Sequence, residues 1–355
     1  VPKDVGSRPP RGAATIRQVA AYAGVSRQTV SNAINSPSRL TPDTLATVLR
    51  AIEELDYRPN EAGRSLTSRL SHVIAISLGR TIHDPSASLH PLLTQLVRSA
   101  SRHDYRIVVL EGGEDVQGEL SAYGDIWRRN AADGVIIVDT HPADPRPDWL
   151  AARGIPFAAM GASWGRPDAP HDWIEIDGIE GMRIVTQHLI DQGHRDIAFI
   201  GWQVDHAGGD DRVKGWQEAL RSSGLDTGHL LRTAADTIEE GQRAAGIVLT
   251  ERDITAIVCA SDLLAVGASR AIEDAGRVPG VDVAVTGYDD SAMAIYNRPP
   301  ITSVRQPLDV VADFLVDSIV SAVEAETNPE QPTHLMVAPE LIVRASSSTP
   351  VAGQP

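Results

Sequence analysis

The chain has 355 residues, 42% of them hydrophobic, which is enough for two or three domains with their own cores and excludes a disordered or fibrous polypeptide. No apolar run reaches the roughly 18 residues needed to span a bilayer, and one cysteine, Cys259, rules out an intramolecular disulfide or a thiolate zinc cluster. The net charge of −15 is unevenly divided: residues 1–70 carry ten basic and six acidic side chains, a net of +4, leaving −19 for the rest, the layout of a basic head that meets phosphate and an acidic body that does not.

Residues 1–13 have no apolar period and read as a flexible tail. Thr15 and Gln18 have the spacing of a capping box, followed by Ile16, Val19, Ala20 and Ala23 on one helical face and by Gly24 as a terminator. Ser26 then caps a second helix, Arg27 to Ile34, whose apolar positions Val30 and Ile34 leave Arg27, Gln28, Ser31 and Asn32 on other faces. Thr41 and Pro42 open a third, carrying Leu45, Val48, Leu49, Ile52 and Leu55. Three short helices with a tight turn between the first two form a helix-turn-helix plan, assigned to residues 14–58.

From His72 the pattern changes to β-branched runs, at 72–77, 105–111, 133–139, 155–161, 196–202, 256–260 and 283–290, alternating with amphipathic helices such as Pro91–Arg102, Gly178–Gln192, Arg212–Ser222 and Asp262–Ala275. This order predicts an α/β core of parallel sheets covered on both faces, with ligands held beyond the carboxyl ends of the strands. The number of strands suits two doubly wound lobes, with crossings near Ile176 and Asp177, between Pro300 and Pro307, and around Asn328 to Pro332. The core is assigned to 71–347, one lobe from 71–176 plus 303–328 and the other from 177–302 plus 329–347, before a flexible tail at 348–355.

The segments TIRQVAAYAGVSRQTVSNAIN (15–35) and TPDTLATVLRAIEELDYRPNEAGRSL (41–66) closely resemble the head of the lactose and galactose repressor (LacI/GalR) family. So do HLIDQGHRDIAFIG, DDRVKGW, ASDLLAVGA, VAVTGYDD, PPITSVRQP and PELIVRASS in the body. The resemblance implies a homodimeric repressor that binds double-stranded operator DNA through its head and senses a small effector through a core like a periplasmic sugar-binding protein. SWGRPDAPHDWIEIDG (163–178) is similar to the subgroup that governs sugar utilisation, so a sugar or oligosaccharide is the expected effector. A non-sugar effector and corepression in place of induction remain alternatives.

Family position and side-chain chemistry agree on Arg27, Gln28 and Asn32 as readers of base edges, since Arg matches guanine O6/N7 and Gln or Asn matches adenine N6/N7. Thr15, Arg17, Ser26, Thr29, Ser31, Asn35 and Arg39 are assigned to phosphate or backbone contacts. Residues 59–70 correspond to the family's hinge helix and linker, with Leu66 at the position of the minor-groove wedge. In the core, Arg212 and Asp289 occupy family positions that hydrogen-bond the effector, and Ser261, where many relatives have asparagine, is assigned to the same effector-binding set with one amide contact missing or shortened. Trp202 and Trp164 are candidates to stack on a pyranose face, and His83 and Asp84 to line the opposite lobe. Gly161 and Thr237 replace larger residues of relatives, so the pocket is expected to admit more than a monosaccharide.

Residues 161–165 spell the G-x-S-x-G serine-hydrolase elbow, yet Arg166 to Pro170 cannot supply the helix that must follow. Eleven histidines show no H-E-x-x-H spacing, and the adjacent Asp289 and Asp290 are expected on opposite faces of an extended segment. No catalysis, metal or cofactor is expected. Together with the lack of a secretory pattern, this points to a cytoplasmic regulator without membrane attachment.

Overall fold

The computed structural model describes residues 14–57, 70–78, 89–113, 115–141, 143–162, 169–202, 207–226, 230–251, 253–325 and 331–347. The expected tails, the hinge with Leu66, and Trp164, His83 and Asp84 lie outside the described residues. The chain divides into two units between Ser71 and His72.

In the first unit, α1 (Ile16–Ala23) begins at a closed capping box: the Gln18 backbone N–H donates to Thr15 Oγ1 at 3.4 Å, and the Thr15 N–H to Gln18 Oε1 at 2.8 Å. It ends at Gly24, whose φ of 67° is left-handed. Ser26 caps α2 (Arg27–Asn35) by accepting from the Thr29 N–H at 3.0 Å, and Thr41 with Pro42 opens α3 (Pro42–Glu54). Val19, Ala20, Val30, Ala33, Val48, Ala51 and Tyr57 form the core that these helices share. That core turns the polar face of α2 outward, where Arg27 and Gln28 are exposed.

The second unit contains two six-stranded sheets. The first has the order β11-β5-β4-β3-β1-β2, from His334–Val337, Asp172–Ile176, Phe157–Met160, Gly134–Ile137, Val73–Ser77 and Arg106–Leu110, with all its pairings parallel. The second has the order β12-β10-β9-β8-β6-β7, from Glu340–Ile342, Thr302–Arg305, Ala284–Tyr288, Ala256–Cys259, Ile197–Gly201 and Leu231–Thr233, and only β12 is antiparallel to its neighbour. The helix Leu308–Glu324 packs on the first sheet through Val311, Leu315 and Ile319, while Trp216, Phe199 and Tyr288 are the largest side chains of the second core.

The lobe boundaries differ from the sequence expectation in two places. β10 stays wholly in the second sheet, so the chain crosses after Arg305 rather than at 303, and β11, expected in the second lobe, pairs with β5 of the first. β5, β7, β10, β11 and β12 had no expected counterpart; they are three to five residues long, and β7, β11 and β12 are sheet edges with partly exposed side chains, so no long apolar run marks them.

Candidate DNA-reading face and effector cleft

On α2, Gln28 and Asn32 are one helical turn apart, and the Gln28 Nε2 donates to the Asn32 Oδ1 at 3.1 Å. The two amides form a preset pair, each with donor or acceptor capacity left for an adenine edge. Arg27 is exposed beside them, as are Thr15, Arg17, Ser26 and Arg39, whereas Thr29, Ser31 and Asn32 are half-buried. Ser26 and Thr15 already serve as helix caps, and the Thr29 hydroxyl lies 2.9 Å from that of Ser26. Asn35 ends the helix, and its side chain lies outside the described atoms.

In the second unit the candidate effector residues gather at the carboxyl ends of the strands of the second sheet. The Arg212 guanidinium donates to the Ala260 carbonyl, just beyond β8, at 2.5 Å. It lies over the Tyr288 ring at 3.9 Å and over the Trp202 ring at 4.9 Å, two cation–π contacts that fix its plane. Asp289 follows β9 with φ 105°, a conformation that non-glycine residues rarely adopt, and accepts from Gln306 Nε2 at 2.5 Å. Burial pushes its carboxyl well above the ordinary carboxylate range, Arg212 pulls it down, and Asp262 and Asp236 push it up again.

Asp289 and Asp290 are not extended, contrary to expectation: both have positive φ, and the tight turn sends their carboxylates to different partners. Asp290 accepts from Arg305 Nε at 2.7 Å and pairs with Arg344, while its N–H donates to Ser303 Oγ at 2.9 Å. Asp262 accepts from Ser303 Oγ at 2.6 Å and from the Ser291 N–H at 2.7 Å, and burial raises its carboxyl. This network holds the turn that presents Asp289.

Ser261 lies at the start of the helix that follows β8. It is fully buried, its Oγ accepts from the Leu264 N–H at 3.2 Å as a helix cap, and its hydroxyl donates to Asp236. Gly161 has φ 123°, and a Cβ there would lie 1.9 Å from Thr140 Oγ1, so a larger residue requires the loop after β3 to move. The Thr237 hydroxyl is engaged by the Glu240 N–H at 3.2 Å. Asp236, Asp262, Gln306 and Tyr288 were not singled out from sequence. Asp262, Tyr288 and Gln306 lie inside recognised motifs, and a stricter use of those motifs finds them; nothing local marks Asp236. Among the described residues no three His, Cys, Asp or Glu side chains form a metal-holding group, and no helix is long and apolar enough to cross a membrane.

A helix-turn-helix unit joined to a two-sheet, strand-end binding core defines the class of effector-controlled DNA-binding regulators. Residues 15–60 match the profile of bacterial regulatory proteins of the lacI family, and residues 186–347 that of a periplasmic binding protein-like domain. The HTH-type transcriptional regulator CelR of Thermobifida fusca is 34% identical over 94% of this chain and 98% of its own, and the ribose operon repressor of Escherichia coli K12 is 28% identical over 94% and 100%. Among solved structures, a CelR–cellobiose complex superimposes with a TM-score of 0.70 at 32% identity, covering 94% of this chain and 100% of that one. The lac repressor dimer bound to operator and the anti-inducer ONPF does so with a TM-score of 0.77 at 25% identity, over 95% and 99%. The chain belongs to the lacI family of bacterial regulatory proteins. It is a DNA-binding transcriptional repressor under small-molecule control.

Proposed function

We propose that the protein is a cytoplasmic homodimeric repressor, without enzymatic activity, whose effector is a sugar or short oligosaccharide related to cellobiose. The observation that carries the sugar assignment is the Arg212 fork held by Tyr288 and Trp202 with Asp289 near it at the strand ends: a bidentate donor, an acceptor and an aromatic face are what clamp a pyranose. Its 32% identity with a protein solved with cellobiose supports the same class. Arg27, Gln28 and Asn32 read base edges; Thr15, Arg17, Ser26, Thr29, Ser31, Asn35 and Arg39 engage the backbone; Leu66 wedges the minor groove from the 59–70 hinge. In the core, Arg212, Asp289, Ser261, Trp202, Trp164, His83 and Asp84 bind the effector.

The test uses the full chain and a duplex selected from a randomised pool. Fluorescence anisotropy is expected to show tight binding that weakens steeply with salt and is shifted by cellobiose or a related β-linked oligosaccharide. Binding to scrambled duplexes with equal affinity defeats the operator assignment, and indifference to every sugar in a broad panel defeats the effector assignment.

Exposed apolar side chains support the dimer. Met293, Ile295 and Tyr296 on the helix Ala292–Tyr296 are 42%, 45% and 81% exposed, and Val108 and Val109 lie exposed on the edge strand β2. Tyr296→Asp is expected to raise the dimer dissociation constant at least about tenfold, a cost of about 1.4 kcal/mol. Sedimentation across protein concentrations checks it; an unchanged dimer removes this face from the interface.

A further inference from the structure

Gln28 lies in the first turn of α2 and Asn32 one turn later, about 40° apart around the axis and about 6 Å along it, so both stand on one face. Val30 and Ala33, buried in the core of the head, fix the rotation of that face. The Gln28 Nε2 donates to the Asn32 Oδ1 at 3.1 Å, with Gln28 exposed and Asn32 half-buried. The bond therefore ties the outer amide to one set closer to the core of the head.

The direction of this bond decides what Gln28 has left. A carboxamide carries one carbonyl oxygen and two N–H groups on the same nitrogen. Asn32 takes one N–H, so Oε1 and the other N–H remain, an acceptor and a donor. Adenine shows the complementary donor and acceptor, N6–H and N7, on its major-groove edge, whereas guanine shows two acceptors, O6 and N7. Two acceptors need both N–H groups, so guanine competes with Asn32 for Gln28. The terminal torsion of a glutamine is broad and roughly two-fold, and without the bond the amide is free to turn its NH2 group to a guanine.

We propose that Asn32 is a positioning residue for Gln28: its Oδ1 holds the Gln28 amide in the orientation that reads adenine and disfavours guanine at one position of each operator half-site. The inference rests on α2 being the base-reading helix. Where DNA displaces water from the pair, the amide–amide bond is stronger than in the free protein, which is when the orientation matters. Successive bases on a strand are about 3.4 Å apart, so for a helix lying along the groove a base contact made by Asn32 itself falls at a neighbouring position. The two roles of Asn32 are thereby separable.

The full chain is titrated by fluorescence anisotropy, at low salt where every variant binds measurably, against its selected duplex with each half-site position changed in turn to all four bases. Gln28→Ala locates the position whose preference depends on Gln28. There the wild type is expected to favour adenine over guanine by at least about tenfold. Asn32→Ala is expected to narrow that ratio several-fold at the same position, whether or not a neighbouring one also changes; Asn32→Leu replaces it if Asn32→Ala lacks the wild-type thermal transition. Asn32→Asp keeps an acceptor for the Gln28 amide and is expected to retain the ratio, while its added charge weakens binding to all the duplexes alike. A wild-type preference there for any base but adenine, or an unchanged ratio without the Asn32 amide, overturns the proposal. So does a loss in Asn32→Asp as large as that in Asn32→Ala, since the acceptor is then not the working group. If Gln28→Ala alters the preference at no position, the base-reading assignment of α2 fails and this inference with it.

Discussion

Arg212→Ala is expected to give a repressor that binds operator normally and no longer responds to its effector. A hydrogen bond from a charged donor contributes about 1.5–3 kcal/mol, so its loss weakens effector binding by roughly ten- to a hundredfold. Since the coupling between two sites is typically about 1–3 kcal/mol, this is enough to erase the response at concentrations that saturate the wild type. The effect extends beyond one lost contact. The guanidinium satisfies the Ala260 carbonyl and packs over the Tyr288 and Trp202 rings, and it pulls the Asp289 carboxyl down. Without it Asp289 holds its proton to higher pH, so any residual effector affinity that needs the carboxylate recovers only as pH rises. Titrating the operator complex with the active sugar at several pH values checks both statements. A wild-type midpoint and amplitude in the variant excludes Arg212 as an effector contact.

Arg146→Met is expected to cost about 3–5 kcal/mol of stability, the range for breaking a buried ion pair by removing one partner. The Arg146 side chain is 5% exposed; it donates to Glu119 Oε2 at 2.9 Å and to Asp144 Oδ2 at 2.7 Å, and those carboxylates are 11% and 5% exposed. Its NH2 group also donates to the carbonyls of Val138 and Asp139, at 3.0 and 2.9 Å, where the chain leaves β3 and Asp139 takes a left-handed φ of 54°. Methionine fills much of the volume but strands two buried carboxylates and two carbonyls. Neutralising the carboxylates as well, with Glu119→Gln and Asp144→Asn, is expected to recover part of the loss, because the penalty lies in uncompensated charge. Urea unfolding of the three proteins is the measurement; a loss under about 1 kcal/mol in the single variant shows that the cluster is solvated in solution.

The head was legible almost residue by residue, because its caps and terminator are local: Thr15 with Gln18, Gly24, Ser26, and Thr41 before Pro42 each act within a few positions. The long central strands were legible from their apolar runs. The edge strands β11 and β12 were not, since they are half-exposed and are strands only because a distant partner accepts them. The site divides in the same way. Arg212 and Asp289 sit in recognisable motifs, but their neighbours are set by contacts across the sequence: Gln306 is 17 residues from Asp289, and Asp236 is 25 from Ser261. The burial of Ser261 and its role as a helix cap were not legible for the same reason, being properties of the fold and not of the dipeptide Ser261-Asp262.

The two sheets are threaded through each other, the first from residues 73–176 and 334–337, the second from 197–305 and 340–342, whereas α1 to α3 come from one uninterrupted run. This sets what heredity can rearrange. A single recombination breakpoint between Tyr57 and Leu70 exchanges α1 to α3 together and leaves both sheets of the sensor whole. No single breakpoint within the sensor leaves both sheets whole, because β11 and β12 return to the two sheets after the other strands of both. Gene shuffling can therefore re-pair old sensors with new operators, while the two halves of the sensor must descend together.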